Sequence, residues 1–333
     1  MKVVAVGPEQ TLEVRDVGDP EPAAGQVVVD VAACGICGSD LHMLPSGVLP
    51  EGAVLGHELS GTLAGVGSGV ADWSAGDRVC VYPFAPVDRL DIPLAMASGI
   101  GLGTNDGGYA ERMVCDAEML WRLPDEVELE HGALVEPLAV GLHGIDVSGA
   151  APGQPVCVLG CGPIGAMTLV GLLARGFEEI VVVEPNPGRR ELAGRLGAPH
   201  VVGLDGVHEE VLGALGGRAP EVVIECAGHV SAPGLAVELI AGEGTVALVG
   251  MLEEPVPISQ LNVMLKEVVL RGSFAYRPKD FDEAVAMLVA GRVPVAELIT
   301  SRHPLDEAAA CFEELLRPGT EELKILLVPP GIA

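Results

Sequence analysis

The period of the apolar positions changes along the chain. Up to about residue 90, apolar residues come in short β-branched runs, of which Val27-Val28-Val29-Asp30-Val31-Ala32 and Arg78-Val79-Cys80-Val81-Tyr82 are the clearest. Turn residues bound these runs, and Gly65, Gly67, Gly69 and Gly76 punctuate the middle. Short runs bracketed in this way predict strands, here an irregular all-β unit. From about Val147 strand-like and helix-like stretches alternate. Val156-Cys157-Val158-Leu159 reads as a buried strand, Ile164 to Arg175 as an apolar helix, Ile180-Val181-Val182-Val183 as the next strand and Arg189 to Leu196 as the next helix. Val222-Val223-Ile224 and Val246-Ala247-Leu248-Val249 continue the series. Strands alternating with helices predict an α/β fold with a parallel sheet covered on both faces. After Gly272 the alternation stops. Phe281 to Val289 and Leu305 to Leu316 have the spacing of amphipathic helices, and Lys324 to Val328 reads as a last strand. So short a closing segment is expected to pack back onto the first unit.

Composition narrows the picture. A chain of 333 residues suggests two domains, and 49% hydrophobic against 20% charged residues predicts a folded chain with a large core. Val147 to Ala174 carries no charge, but Pro152, Pro155 and Pro163 break it, so it reads as loop, strand, turn and helix rather than a membrane span. The net charge of −28 argues against nucleic acid or an anionic membrane as partner. Only 3% of residues are aromatic, which argues against a base-stacking platform. The excess is uneven: residues 1–147 hold 23 acidic and 6 basic residues, a net −17. Its plainest reading is a solubilising surface. Cysteines stand at 34, 37, 80, 115, 157, 161, 226 and 311, and the apolar run before Glu9 is too short for a secretion signal. A reduced, cytoplasmic setting is therefore expected.

Two motifs carry chemistry. Gly160-Cys161-Gly162-Pro163-Ile164-Gly165 follows one strand and opens a helix, the context a G-x-G-x-x-G dinucleotide turn requires. The first glycine makes the tight turn, the second admits the pyrophosphate and the third lets helix and strand pack. The positive end of the helix then faces the phosphates. Glu184 lies 24 positions after Gly160, at the end of the next strand. A carboxylate there accepts the ribose hydroxyls and repels a 2′-phosphate, which favours NAD over NADP. Arg189 and Arg190 lie close enough to pull toward NADP, though they also read as ordinary solvated helix charges.

The second motif is Cys34-Gly35-Ile36-Cys37-Gly38-Ser39-Asp40-Leu41-His42, followed by Gly56-His57-Glu58 and later by Val135-Glu136-Pro137. Cys, His and carboxylate form the zinc donor set, and three protein ligands plus an open position make a catalytic site. Alone, Cys34-x-x-Cys37 could equally be a redox pair or two buried thiols, and His57 a core histidine.

Taken together, Gly35-Ile36-Cys37-Gly38-Ser39-Asp40, Gly56-His57-Glu58 with Gly61, Gly76-Asp77-Arg78-Val79, Gly107-Gly108-Tyr109-Ala110-Glu111, Glu136-Pro137-Leu138-Ala139-Val140 and the dinucleotide turn run in order over nearly the whole chain. In this the chain resembles the zinc-dependent medium-chain alcohol dehydrogenases, in the branch with the polyol, threonine and butanediol dehydrogenases. The resemblance implies a GroES-like β-barrel catalytic domain over 1–147 and 276–333, a Rossmann dinucleotide-binding domain over 148–275, and an active site in the cleft between them. It makes Cys37 and His57 zinc ligands, with Glu58 or Glu136 as the third, and leaves Cys34 a small core residue. It places Ser39 on the substrate hydroxyl and His42 at a proton-relay position, where a surface histidine near the cofactor is the alternative. The cofactor residues it implies are Gly160, Gly162, Pro163, Ile164, Gly165, Glu184 and Arg189.

The sequence departs from the family in two places. Pro83 to Gly108 contains no cysteine, whereas many relatives hold a structural zinc there. One catalytic zinc and no structural zinc are expected. The charge-free run Ile92 to Asn105 that stands instead needs a packing partner, as a subunit contact or a lid. Second, Ala275 stands near where sugar-alcohol relatives often carry an arginine, and Tyr276 offers either a hydroxyl or a packing aromatic. The expected function is NAD-linked oxidation of a polar secondary alcohol (a polyol, cyclitol or amino alcohol) or reduction of the ketone. The acidic first segment leans toward a substrate that is not anionic. An NADPH-dependent aldehyde or ketone reductase and a non-catalytic cofactor-binding protein are the alternatives. A homodimer or homotetramer is expected from the family.

Overall fold

The computed structural model describes residues 1–86 and 97–330. The chain divides into two compact units, one of Met1–Glu136, Arg277–Gly291 and Ile299–Ala333, the other of Pro137–Tyr276 and Arg292–Leu298.

The first unit is built on a sheet in the order Ile299–His303, Lys324–Leu327, Gln26–Gly35, Glu58–Val66, Arg78–Val81, Leu120–Arg122, with Arg112–Asp116 also pairing Gln26–Gly35. The strand foreseen at Val27–Ala32 is thus the longer Gln26–Gly35, and it is the hub of the sheet. It pairs antiparallel with Glu58–Val66, Arg112–Asp116 and Lys324–Leu327. Its far end carries the register that matters: Gly35 lies opposite Glu58 on one side and Leu326 on the other. Val27, Val29, Val31, Leu59, Val79 and Ile325 fill the core beneath it. Most of the closing segment returns to this unit, as its shortness predicts.

The second unit holds a parallel sheet in the order His200–Val202, Ile180–Val183, Val156–Leu159, Val222–Glu225, Thr245–Leu248, Val269–Gly272. Every residue of Val156–Leu159 and Ile180–Val183 is buried, as expected for strands covered on both faces. Chain order reverses at Val156–Leu159, which has Ile180–Val183 on one side and Val222–Glu225 on the other. Ligands of doubly wound sheets bind beyond the strand ends at such a switch point.

The division between units falls inside the helix Val135–Ser148, not at the 147–148 junction that the charge-free stretch suggests. The reason is packing. A Cβ at Gly141 would stand 2.8 Å from Thr168 N, and one at Gly171 would meet Leu142 and Ile145 at 3.0 Å. This helix and Pro163–Ala174 therefore touch through glycines, which carry no apolar signal. The short segment Arg292–Leu298 also belongs to the second unit, tied to it by Arg195 Nε donating to Glu297 at 2.7 Å. Among the described residues, no helix is long and apolar enough to cross a membrane.

Candidate metal centre and dinucleotide turn

The metal candidate begins at a helix start. Cys37 is the N-cap of the helix Gly38–Ser46, and Asp40, three residues on, reaches back to accept the Cys37 N–H at 3.0 Å. That reciprocal arrangement fixes where the chain leaves the sheet and turns into helix. His57 follows Gly56, whose φ of +97° is open only to glycine at low cost, and Glu58 begins the next strand.

These three elements bring the ligand atoms of Cys37, His57 and Glu58 within 4.8 Å of one another. His57 and Glu58 are buried and Cys37 half-buried. His57 Nε2 lies 3.3 Å from Ser39 Oγ, while Nδ1 lies 3.5 Å from Asp40 Oδ1. Both Nδ1 and Oδ1 are buried without a hydrogen bond of normal length. An imidazole that gives Nε2 to a metal must carry its proton on Nδ1, and here Nδ1 faces a buried carboxylate. Sulfur, nitrogen and oxygen donors around one point, with that carboxylate behind the histidine, fit zinc.

The electrostatics show how much charge the cluster concentrates. Burial pushes the Cys37 thiol up, and Glu58 adds to this while His57 opposes it. Burial pulls the His57 imidazolium down, but Asp40 and Cys37 outweigh it, and its pKa ends well above the ordinary histidine value.

Glu58 has a partner that the motif does not contain. Lys324 Nζ donates to Glu58 Oε1 at 2.7 Å and Oε2 at 2.6 Å, and to Ile36 O at 3.0 Å. Both side chains are almost wholly inaccessible, at 1% and 0%. A Cβ on Gly35 would collide with Glu58 Oε2, so this glycine makes room for the ion pair. The missed signal is a lysine opening the otherwise apolar strand Lys324-Ile325-Leu326-Leu327.

Glu136 is buried in the first turn of its helix and helps to raise His57, but its carboxylate is not among the three clustered groups. Ser39 is half-buried, and His42, three residues further on the same helix, is exposed. Cys34 is fully buried, with its sulfur 2.8 Å from where a Cβ on Gly56 or Gly108 would sit. Of the apolar run Ile92 to Asn105, residues 92–96 lie outside the described residues. In the rest, Ile100 is buried and donates its N–H to Pro83 O at 2.9 Å, so this part packs within its own unit. Tyr276, in the other unit, is 1% exposed and belongs to the packing.

The dinucleotide turn lies at the switch point of the parallel sheet. Gly160 has φ +88°, and a Cβ on it would stand 2.8 Å from Ala227 Cα. A Cβ on Gly165 would collide with Gly160 O. Gly162 is different: its nearest neighbour would be Arg189 Nη1 at 3.8 Å. Protein packing demands glycine at the first and third positions and leaves open space at the second, at the start of the helix Pro163–Ala174. Pro163 takes the first helical position, where its missing N–H costs nothing, and Ile164 follows. That open space fits a pyrophosphate on the helix N-terminus.

Glu184 is buried, and its carboxylate accepts Cys161 N–H at 2.6 Å and Asn186 N–H at 2.8 Å. It thus braces the glycine turn and has lone pairs left for a ribose. Arg190 Nη1 donates to Glu184 O at 2.9 Å and Pro185 O at 2.7 Å, so this nitrogen is committed to the backbone. Arg189 lies by Gly162 with a buried Nε that lacks a partner.

Comparison with known proteins places the chain in a family. Residues 23–125 match the family of the alcohol dehydrogenase GroES-like domain, and residues 163–290 that of zinc-binding dehydrogenases. The chain is 32% identical to sorbitol dehydrogenase of Bos taurus, covering 94% of this chain and 92% of that one. The crystal structure of 2R,3R-butanediol dehydrogenase from Bacillus subtilis superposes with a TM-score of 0.90 at 29% identity, over 98% of this chain and 99% of the other. A putative zinc-binding dehydrogenase from Sinorhizobium meliloti, bound to NADP, gives 0.89 at 31% identity, over 98% and 99%. This chain belongs to the zinc-dependent medium-chain alcohol dehydrogenases, oxidoreductases that join a GroES-like domain to a Rossmann-type sheet and work with zinc and a nicotinamide cofactor.

Proposed function

We propose that this dehydrogenase oxidises a polar secondary alcohol (a polyol, cyclitol or amino alcohol) with NAD and reduces the matching ketone in reverse. The observation that carries the reading is the convergence of Cys37, His57 and Glu58 within 4.8 Å, in a chain whose relatives include a sorbitol dehydrogenase. Cys37, His57 and Glu58 would hold the zinc, with Glu136 the adjacent carboxylate. When bound, zinc supplies Lewis-acid polarisation that lowers the pKa of an alcohol oxygen.

The chain's own groups handle the proton. Ser39 Oγ, 3.3 Å from His57 Nε2, stands beside the ligand cluster and accepts the hydroxyl proton as it gives up its own toward His42. His42, one turn on and exposed, delivers it to solvent. Asp40 keeps the His57 proton on Nδ1. In the second unit Glu184 accepts the ribose hydroxyls and disfavours a 2′-phosphate. One observation supports NADP as a second reading, and with it a reductase role: the unpartnered Nε of Arg189 beside the turn. The net −17 of residues 1–147 favours neutral or amine-bearing substrates. A homodimer or homotetramer is the working assembly.

The test is a panel of secondary alcohols, polyols and their phosphates with NAD and NADP, together with metal analysis. About one zinc per chain is expected, with neutral polyols and NAD preferred. Loss of the sulfur ligand in Cys37→Ala should lower kcat at least about 10³-fold, the scale of several kcal/mol of Lewis-acid assistance. Activity surviving that change would overturn the zinc mechanism, and preference for phosphorylated substrates would overturn the charge argument.

A further inference from the structure

One buried hydroxyl beside the metal candidate belongs to a residue with no part in the proton path. Tyr109 is fully buried, and its OH donates to Asp40 Oδ2 at 2.5 Å. The other oxygen of the same carboxylate, Oδ1, is the one that faces His57 Nδ1 at 3.5 Å. Asp40 Oδ2 also accepts the Cys37 N–H at 3.0 Å. One carboxylate therefore connects the backbone of one candidate ligand, the ring of a second, and Tyr109. Burial pushes the Tyr109 hydroxyl well above its ordinary range, and Asp40 adds to this, so it keeps its proton and donates.

The same residue touches the chain just before His57. A Cβ on Gly56 would stand 2.5 Å from Tyr109 Cδ1 and 2.7 Å from Cε1, so the ring lies flush on the Gly56 backbone. Tyr109 N–H donates to Leu55 O at 3.0 Å and Gly108 N–H to Gly56 O at 2.7 Å. Gly107 can have no side chain, since a Cβ there would collide with Gly56 O. Phe312 holds the ring from a third side, edge-on with centroids 6.1 Å apart. The segment Gly107-Gly108-Tyr109 is thus laid along Leu55-Gly56, with its one polar side-chain atom aimed at Asp40.

We propose that Tyr109 is a positioning residue of the metal centre: its ring sets the backbone that delivers His57, and its hydroxyl fixes the Asp40 carboxylate that orients the His57 imidazole. The role rests on the reading of His57 as a zinc ligand. Partners that orient a metal-bound histidine are generally worth about 10–100-fold in metal affinity. Tyr109 acts through Asp40, one step further out.

Tyr109→Phe keeps the ring and removes only the hydroxyl. Zinc-loaded full-length protein is mixed with a chelator and zinc release is timed, for wild type, Tyr109→Phe, Asp40→Asn and the double variant. The same four proteins are loaded with cobalt(II), and the visible spectrum reports the geometry of whatever folded, metal-bound fraction is present. Release from Tyr109→Phe should be about 3- to 10-fold faster, below the roughly 10–100-fold of a direct partner because Tyr109 acts one step further out, with a shifted cobalt spectrum. In the Asp40→Asn background the hydroxyl should make little further difference, as expected of two groups acting through one contact. An unchanged release rate and spectrum would overturn the role. So would an equal acceleration in the Asp40→Asn background, which would mean general loosening. Wild-type protein without zinc would instead overturn the reading of the site itself.

Discussion

The two candidate sites are built from opposite materials. In the first unit, buried charged and polar side chains converge on the half-buried Cys37: His57, Glu58, Asp40 and Lys324, with Tyr109 behind them. In the second unit the dinucleotide turn is mostly backbone, shaped by where side chains are missing, with Glu184 as its one buried anchor. The difference teaches where each site is fragile. Buried charges are costly unless each has its partner, so the metal candidate should fail by electrostatic imbalance. A glycine turn has no such imbalance to release, and should fail sterically.

The largest test of that contrast is Lys324→Met. It leaves Glu58, which is 0% exposed, without its partner, and breaking a buried ion pair from one side costs about 3–5 kcal/mol. The loss, read by urea unfolding, should be largest in metal-free protein and smaller with zinc added, because a cation beside Glu58 replaces the missing charge. An equal loss in both states would show that Glu58 does not face the metal.

The second test separates two glycines of one motif. Gly165→Ala forces a Cβ into Gly160 O, and overpacking of this kind costs about 1–3 kcal/mol. Gly162→Ala meets nothing closer than 3.8 Å. As a helix N-cap change from Gly to Ala it should cost less than about 1 kcal/mol, yet weaken NADH binding measured by fluorescence. If Gly162→Ala bound NADH normally, the open space at the turn would not be the pyrophosphate seat.

The smallest effect is a surface control in the first unit. Arg302 clasps Glu130 through two bonds, at 2.8 and 2.5 Å, and holds its carboxyl below the usual range. A depressed carboxylate pKa stabilises the fold above the unfolded value and loses that contribution as pH falls through the folded value. With Arg302 44% and Glu130 32% exposed, the pair should contribute no more than about 1 kcal/mol. Wild type and Arg302→Gln should therefore differ slightly in melting temperature at pH 7. The gap should close as pH drops below about 4.3. A gap that widened in acid would contradict the sign.

How legible the molecule was depends on the range of the signal. Val156–Leu159 and Ile180–Val183 are read correctly to the residue, because a strand buried on both faces writes itself as an unbroken apolar run. The glycine turn and Glu184 are read from spacing within one βαβ unit. Cys37, His57 and Glu58 are read as motif pieces, but nothing local says that Glu58, rather than Glu136, completes the cluster. The helix Val135–Ser148 lies mostly on the other side of the division from the one its position suggests, because its buried stripe of Leu138, Leu142 and Ile145 carries no record of which unit it packs against.

By itself the sequence determined what neighbouring residues can decide: the parallel α/β series, the glycine geometry of the dinucleotide turn and the chemical type of the metal donors. Only the tertiary structure decided the partners of those donors. Lys324 reaches Glu58 across 266 positions, and Tyr109 reaches Asp40 across 69. The physical reason is that a buried charge is tolerated by what surrounds it in space, and sequence distance carries no record of which lysine or tyrosine the folded sheet will place against which carboxylate.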